Sequence, residues 1–335
     1  MRFIAAALGL LVIAGCQTQA TKTASVEFAL IGDNPYQDYN FPKYERMIDR
    51  INADPDIDWV VHLGDMKDGI DDCSDESLRA LKTLNDRFAA PFVLTPGDND
   101  WFDCSRADAG GYDRRDRLQV LRRIFYSEPS ALPVTSQAES AAHPEFVENV
   151  YWMQEDVMFA TLHLVGLTGQ EGGLDIHNEL MTAGVAWLEE IFRQATANDA
   201  RGVFIATQAD IYPITSEKYL LSIFCPKCPA VHPLFGPVHA AFLKHAKQYQ
   251  RPIMLAVGDT HIFRVDKPLY DGANVVENFT RVEGFGEGQV HWVRVKVDTA
   301  DSQVFTVYQE LIPENLGVGW REEDKEKKVW NFTMQ

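Results

Sequence analysis

Four runs of apolar residues along the chain each end in a glycine followed by an aspartate. The four aspartates are Asp33, Asp65, Asp98 and Asp259. A short apolar run that stops at a turn signal is typical of a buried parallel strand. In open α/β folds, ligands bind beyond the carboxyl ends of such strands. The pattern therefore predicts that several carboxylates meet at one sheet edge, and we interpret the meeting point as a metal centre.

The remaining hydrophobic pattern predicts an α/β chain. Strands are predicted at 25–32, 58–63, 91–95, 148–154, 157–165, 202–207, 252–257, 288–297 and 303–310, and helices at 41–53, 74–88, 112–125, 182–195 and 238–249. The first three strands alternate with helices, which implies parallel pairing through right-handed crossovers. Residues 127–144 and 167–178 are predicted to be loops, and 213–237 to be irregular. No internal linker or repeat interrupts the pattern, so we expect one domain over residues 25–335, a two-sheet sandwich covered by helices.

The N-terminal residues differ in composition from the rest of the chain. Arg2 precedes an apolar stretch, residues 3–14, that is too short for a stable membrane span. The stretch leads into the sequence Ile-Ala-Gly-Cys, which resembles the lipobox of bacterial lipoproteins. The resemblance implies that residues 1–15 are a signal peptide, that Cys16 is lipidated, and that residues 16–24 are a flexible tether. A plain secretory signal is the alternative.

The anchor and the charge of the chain predict its partners. Lipid on Cys16 would attach the protein to a membrane. Because Gln17 rather than an aspartate follows it, the lipoprotein resemblance implies the periplasmic side of the outer membrane if the host is Gram-negative. The net charge of −18 and pI near 4.9 argue against a nucleic-acid partner, which would be repelled at long range.

The other four cysteines form an even set, which in an exported protein predicts disulfides. Cys73 follows the second Gly-Asp loop and Cys104 follows the third. If those loops converge, Cys73–Cys104 is the natural disulfide and would brace the site. Cys225 and Cys228 could close on each other. A redox motif and half of a zinc site are the alternatives for that pair.

Further polar residues follow the predicted strands: Asn99, Gln208 or Asp210, and His261. Their order and spacing, over about residues 25–265, resemble the calcineurin-like metallophosphoesterases. The pattern of that family is Asp-x-His, Gly-Asp-x-x-Asp/Tyr, Gly-Asn-His-Asp/Glu, a lone His after a strand, and Gly-His-x-His. The resemblance implies a four-layer α/β/β/α sandwich with two divalent ions at the strand ends, bridged by Asp65.

The chain departs from the family pattern at several positions. Pro35 stands where the first motif has His, Gln208 replaces the lone His, and Asp259 replaces the first His of the last motif. The third motif can be aligned with Asp98 in place of the Asn ligand and Asn99 in place of the catalytic His. It can also be aligned with Asn99 as the ligand. In either alignment the general-acid His is absent.

The resulting candidate ligand set is rich in oxygen. Its members are Asp33, Asp65, Asp98, Asn99, Gln208, Asp259 and His261. Carboxylate and amide oxygens favour Mg²⁺, Mn²⁺ or Ca²⁺ over Zn²⁺. The set allows one ion or two, and the missing His of the first motif removes a ligand from the first metal position.

Catalytic roles would fall to residues beside these ligands. Asp100 and Asp103 are the candidate acids for the leaving group, and Lys67 is a candidate for binding phosphate oxygens. We therefore predict an enzyme that hydrolyses a small-molecule phosphate mono- or diester with divalent metal. The first alternative is a catalytically degenerate relative that binds a metal or ligand. A disulfide oxidoreductase that uses Cys225 and Cys228 is the second.

Overall fold

Two β-sheets form the centre of the computed structural model, which describes residues 25–166, 173–212, 231 and 233–316. The strands are β1 (Val26–Ile31), β2 (Trp59–His62), β3 (Phe92–Leu94), β4 (Thr135–Ser136), β5 (Val150–Gln154), β6 (Val157–Thr161), β7 (Gly202–Ala206), β8 (Ile253–Val257), β9 (Arg264–Asp266), β10 (Tyr270–Asp271), β11 (Asn274–Val275), β12 (Phe279–Glu283), β13 (Trp292–Val297) and β14 (Phe305–Glu310). The α-helices are α1 (Phe41–Asn52), α2 (Asp75–Asn85), α3 (Arg114–Phe125), α4 (Leu174–Ala197) and α5 (Gly236–Tyr249). Short 3-10 helices lie at Asp38–Asn40, Asp103–Ser105, Gln137–Glu139, Pro233–Phe235 and Pro313–Asn315.

Both sheets are mixed. The first has the order β14-β13-β1-β2-β3, in which β1, β2 and β3 are parallel and β13 runs antiparallel to β1. The second has the order β4-β5-β6-β7-β8-β12-β9, with a parallel centre from β6 to β12. Strands β5 and β6 form an antiparallel hairpin. Strands β10 and β11 pair separately.

The sheets face each other across an aromatic core, and helices cover their outer faces. Phe28 of β1 stacks on Trp59 at 5.3 Å between ring centroids and meets Phe204 of the second sheet edge-on at 4.9 Å. Alternate residues of β1 point outward, so Ala29 packs with Tyr44 of α1. Helices α4 and α5 pack on the other sheet. The expected four-layer α/β/β/α sandwich is confirmed.

Helix α4 begins earlier than the predicted 182–195, and the prediction of a loop over 167–178 is wrong from residue 174 onward. Ile176 and Leu180 are buried at helical spacing, but Gly173 and the polar residues around them obscure that pattern in the sequence. The predicted loop over 127–144 is also partly wrong, since it contains β4 and a 3-10 helix.

Strand β12, which the sequence pattern missed, lies between β8 and β9. Its charged residues Arg281 and Glu283 break the apolar run, yet both side chains are buried and paired. A strand that buries ion pairs gives no periodic apolar signal. In the described part of the chain, no helix combines the length and the apolar character needed to span a bilayer.

Candidate functional site

Four aspartates from both sheets meet at the ends of parallel strands. Asp33, Asp65 and Asp98 follow β1, β2 and β3 of one sheet, and Asp259 follows β8 of the other. The Asp33 carboxylate accepts the backbone N–H of Asp259 at 3.0 Å through Oδ1. The charges of Asp33 and Asp98 also raise the pKa values of Asp65 and Asp259. We call Asp33, Asp65, Asp98 and Asp259 the acidic cluster.

The backbone bends sharply to deliver these side chains. Asp33, Asp65 and Asp259 have φ angles of 51°, 54° and 73°, in the left-handed region that non-glycine residues rarely adopt. Two glycines make room for the cluster. A Cβ at Gly97 would lie 2.0 Å from Asp65 Oδ1, and one at Gly258 would lie 2.4 Å from Asp33 Oδ2. The Gly-Asp motif therefore has a steric cause at this site.

Asp65 accepts hydrogen bonds on both carboxylate oxygens. The backbone N–H of Asn99 donates to Oδ1 at 2.9 Å. Three side-chain donors reach Oδ2: the Asn99 amide at 3.1 Å, the Gln208 amide at 3.1 Å and the Tyr36 hydroxyl at 3.2 Å. The structure thus brings Asn99 and Gln208 to the cluster, but directs their N–H groups at Asp65.

Tyr36 is a site residue that was not among the predicted ligands or catalytic residues. Its hydroxyl accepts from Asn99 at 3.0 Å and donates to Asp65, and its ring meets His261 edge-on at 5.4 Å. Tyr36 follows Pro35, and the peptide bond between Asn34 and Pro35 is cis. Tyr36 lies three residues after Asp33, which is the Gly-Asp-x-x-Tyr spacing of the family's second motif, and that spacing is the signal that could have indicated it.

Burial raises the pKa of Asp65 well above its usual value, and the charges of Asp98, Asp33 and Asp100 raise it further. Asp259 shows the same direction, caused first by burial and then by Asp98 and Asp33. Each raised pKa means that bringing these carboxylates together in ionised form is unfavourable without compensating positive charge. The cluster is therefore a place where a cation would be stabilised.

The imidazole of His261 lies beside the Asp33 carboxylate. Its Nε2 lies 3.5 Å from Asp33 Oδ1, and its Nδ1 lies 3.7 Å from Glu287 Oε2. Burial alone would lower the pKa of His261, but the hydrogen bonds and charges of these two carboxylates outweigh it and raise the pKa to about 10. The imidazole therefore carries a proton at neutral pH.

Asp100 fastens the second and third Gly-Asp loops together. Its Oδ2 accepts the backbone N–H groups of Asp65 at 2.9 Å and Gly97 at 2.8 Å, and its Oδ1 accepts that of Met66 at 2.8 Å. Burial raises its pKa to about 6, although these hydrogen bonds oppose the shift. Both oxygens are thus engaged by the backbone.

The charges of Asp100 and Asp103 both act on the Lys67 ammonium. The buried ammonium of Lys67 donates to the carbonyls of Asp68 at 3.1 Å and Asp71 at 3.0 Å, so it holds its own loop. Burial, together with the charge of Asp98, raises the pKa of Asp103 to about 7. Contact of Lys67 with a phosphate stays a prediction.

The donor chemistry of the acidic cluster suits a hard divalent cation. Its members are carboxylates, and Asp33 Oδ2 is buried with no hydrogen-bond partner within the described residues. Across residues 25–166, 173–212, 231 and 233–316, however, no three His, Cys, Asp or Glu side chains are placed to hold one metal ion. The cluster therefore supplies the donors and the charge for a cation, but not a complete coordination sphere.

The two loops beside Asp65 are joined covalently, because Cys73 and Cys104 form a disulfide. Both sulfurs are buried, and the Lys67 loop and the Asp103 helix lie on either side of the bond. The predicted Cys225–Cys228 disulfide, the lipidation of Cys16, the signal peptide and the tether all lie outside the described residues.

A buried network under the third loop orients Trp101. The Trp101 indole N–H donates to His163 Nε2 at 3.1 Å, so the imidazole proton is on Nδ1, which faces Glu148 Oε1 at 2.6 Å. Arg122 donates to both oxygens of Glu148, at 3.0 and 2.6 Å. Burial opposes ionisation of Glu148, but His163 and Arg122 hold its pKa at about 2. The network thereby fixes the residue next to Asp100.

A second buried network supports the loop that carries Asp259. Glu283 accepts the hydroxyl of Thr260, and Arg264 pairs with Glu283 at 2.6 Å. Arg281 donates to both oxygens of Asp210 at 2.8 Å, and the backbone N–H of Asp210 hydrogen-bonds the Asp259 carboxylate. Asp210 was one of the two candidate site residues predicted after β7. It supports the Asp259 loop through its backbone N–H and through its ion pair with Arg281.

A groove of about 690 Å³ opens beside His261. Three of its lining residues, Ile262, Leu311 and Leu316, are apolar and about half exposed. Lys43 and His291 also line it. A second cavity, of about 510 Å³, is not lined by His261. No aspartate of the acidic cluster lines either cavity, and the first groove adjoins the site through His261 and Glu287.

Comparison with known proteins gives a family match and two resemblances in fold. The profile of the calcineurin-like phosphoesterase family matches residues 26–263. The chain is similar to GAP50, the anchor in the inner membrane complex of Plasmodium, with 10% identity and a TM-score of 0.46 over 86% of this chain and 89% of that one. It is also similar to the NAD nucleotidase NadN of Haemophilus influenzae, with 11% identity and a TM-score of 0.43 over 86% of this chain and 49% of that one. No curated protein matches the chain at a significant level.

Proposed function

Because this chain belongs to the calcineurin-like phosphoesterase family, we propose that it hydrolyses a phosphate mono- or diester with the help of a divalent cation. The observation that carries the proposal is the acidic cluster at the strand ends, in which the pKa values of Asp65 and Asp259 are raised. The carboxylates of the acidic cluster repel one another, so a divalent cation would bind among them favourably. That cation could in turn bind a phosphoryl group.

The cation would be held by the acidic cluster, and its oxygen donors favour Mg²⁺, Mn²⁺ or Ca²⁺ over Zn²⁺. When bound, it would polarise a phosphoryl oxygen and neutralise its charge. The imidazole of His261, whose Nε2 lies 3.5 Å from Asp33 Oδ1, would lie beside the cation and could donate a hydrogen bond to a phosphoryl oxygen. Together these groups would stabilise the charge of a phosphoryl group in transfer.

Asp103 is the better candidate for protonating the leaving group. Its pKa of about 7 leaves it partly protonated at neutral pH, which suits a general acid. Asp100 is held by three backbone N–H groups and is suited to fixing the two loops. The alcohol part of the ester would lie in the groove beside His261, against Ile262 and Leu311.

The experiment is phosphate release from a panel of aryl and alkyl phosphate mono- and diesters, with Mg²⁺, Mn²⁺, Ca²⁺ and Zn²⁺ added in turn. We expect turnover in the native chain and a loss of at least about 100-fold in Asp33→Asn. Asp38→Asn, the same change at an exposed site, is the matched control. Absence of turnover with every ester and every ion would refute the proposal.

The location is part of the proposal. Its support is the lipobox-like sequence ending in Cys16 and the polar segment after it. We expect the native chain to incorporate labelled fatty acid and to sediment with membranes, and Cys16→Ser to do neither. Membrane sedimentation of Cys16→Ser equal to that of the native chain would contradict a lipid anchor.

One observation favours a second function, a relative that binds a ligand without hydrolysing it. Asn99 and Gln208 direct N–H groups at Asp65, and the described residues form no complete metal-ligand group. Such a protein would bind phosphate esters, or one cation, without turnover. Isothermal titration with a slowly hydrolysed phosphonate, run beside the ester panel, separates the two functions.

A further inference from the structure

Four N–H and O–H donors already reach the Asp65 carboxylate, three of them at Oδ2 and one at Oδ1. Asn99 donates twice, through its backbone N–H and its amide, and Gln208 and Tyr36 donate once each. A carboxylate offers about four lone-pair positions in all. Three of the four donors converge on Oδ2, so no position on that oxygen remains for a cation.

The Gln208 amide cannot simply be turned around. Its Oε1 accepts the backbone N–H of Gly166 at 2.8 Å, which leaves Nε2 to face Asp65. In the reversed orientation, two N–H groups would face each other at Gly166 and two oxygens at Asp65. The buried N–H of Gly166 would also lose its partner, and an unsatisfied buried donor is destabilising.

The Asn99 amide is fixed by a closed ring of hydrogen bonds. Its Nδ2 donates to both Tyr36 and Asp65, and the Tyr36 hydroxyl donates to the same oxygen of Asp65. Reversing the amide would place its oxygen against the carboxylate. Asn99 and Gln208 therefore both present the positive ends of their amide dipoles to the place where a bridging ion would sit.

We infer that Gln208, Asn99 and Tyr36 stabilise the Asp65 carboxylate in place of a metal ion, so that Asp65 does not bridge two ions and the chain holds at most one. The inference rests on the proposed function only in taking the acidic cluster as the cation site. It changes the role that the family resemblance implies for Asp65.

The test counts ions and does not depend on turnover. The purified chain is dialysed to equilibrium against Mn²⁺, and bound metal is measured by mass spectrometry for the native chain, Asp65→Asn, Gln208→His and the double variant. We expect no more than one ion per native chain and the same number in Asp65→Asn. Gln208→His, which restores an imidazole, should gain one ion that the double variant loses.

Two ions in the native chain would overturn the inference, as would a lower count in Asp65→Asn or no gain in Gln208→His. Native crystals soaked in Mn²⁺ give a readout that needs no variant. We expect no anomalous peak within coordination distance, about 2.0–2.6 Å, of the Asp65 carboxylate. A peak there would overturn the inference, whereas failure of the proposed function would appear only as missing ester hydrolysis.

Discussion

At the scale of single residues, the aspartates of the cluster differ in how their charge is compensated. Asp65 is surrounded by N–H and O–H donors, whereas Asp33 Oδ2 accepts no hydrogen bond from any residue that the structure describes. The sequence indicated both as ligands from the Gly-Asp motif. It could not show the direction of the Gln208 amide, because that depends on Gly166, 42 positions away.

Gly97→Ala tests whether the Gly-Asp motif serves the site sterically. The new Cβ would lie 2.0 Å from Asp65 Oδ1, so the carboxylate or the loop must move. We expect a loss of about 1–3 kcal/mol in unfolding free energy and a fall in kcat/KM of about 100-fold, measured by urea denaturation and ester hydrolysis. Gly236→Ala, where no atom lies within 4 Å, should change neither.

Glu148→Gln tests the network that holds Trp101. The substitution leaves the buried Arg122 without its charge partner, and we expect a loss of about 3–5 kcal/mol in unfolding free energy by urea denaturation at pH 7. The exposed Glu145→Gln should change stability by less than about 0.5 kcal/mol. Equal losses in the two variants would contradict the role given to the network.

The contribution of Glu148 to the free energy of unfolding should depend on pH. The pKa of Glu148 is lowered from 4.5 to about 2 in the folded protein, so its ionised form stabilises the fold fully above about pH 4.5. That stabilisation is lost as pH falls through 2. The difference between the native chain and Glu148→Gln should therefore shrink from pH 5 toward pH 2. A constant difference would contradict the assigned charge state.

At the scale of elements, apolar runs predicted the buried parallel strands closely. Strands β1, β2, β7 and β8 all begin and end within two residues of their predicted bounds. The misses share a physical cause. Strand β12 buries charges as ion pairs, and the start of α4 lies among glycine and polar residues, so neither has the apolar period on which the prediction depends.

Arg281→Leu tests the ion pairs buried by β12. Arg281 is 2% exposed and donates to both oxygens of Asp210. Its removal takes away the hydrogen bonds of one of the two guanidinium groups that pair with the buried Asp210 carboxylate, while Arg264 and the backbone N–H of Tyr212 remain. We expect a loss of about 1.5–3 kcal/mol by urea denaturation. Arg193→Leu removes a pair from an exposed helix face and should cost less than about 1 kcal/mol. A small loss in Arg281→Leu would show that the network is dispensable.

At the scale of the whole molecule, the convergence of strand ends was predictable, because parallel strands share a direction and their carboxyl ends share an edge. The sequence pattern predicted that the carboxylates meet at one sheet edge, whereas the strand ends of both sheets contribute them. The family match ends at residue 263, yet β12, β13 and β14 complete the two sheets. What the sequence could not give is the number of ions, since that depends on side-chain orientation.

Cation-dependent hydrolysis at the acidic cluster is tested most directly by measuring activity before and after the metal is removed. The purified native chain is treated with a chelator, dialysed, and assayed on an aryl phosphate ester with and without added Mn²⁺. We predict that activity is lost on chelation and returns on addition of the ion, with the protein folded throughout by circular dichroism. Turnover that is unaffected by chelation, or none after Mn²⁺ is restored, would contradict a cation-dependent phosphoesterase at the acidic cluster.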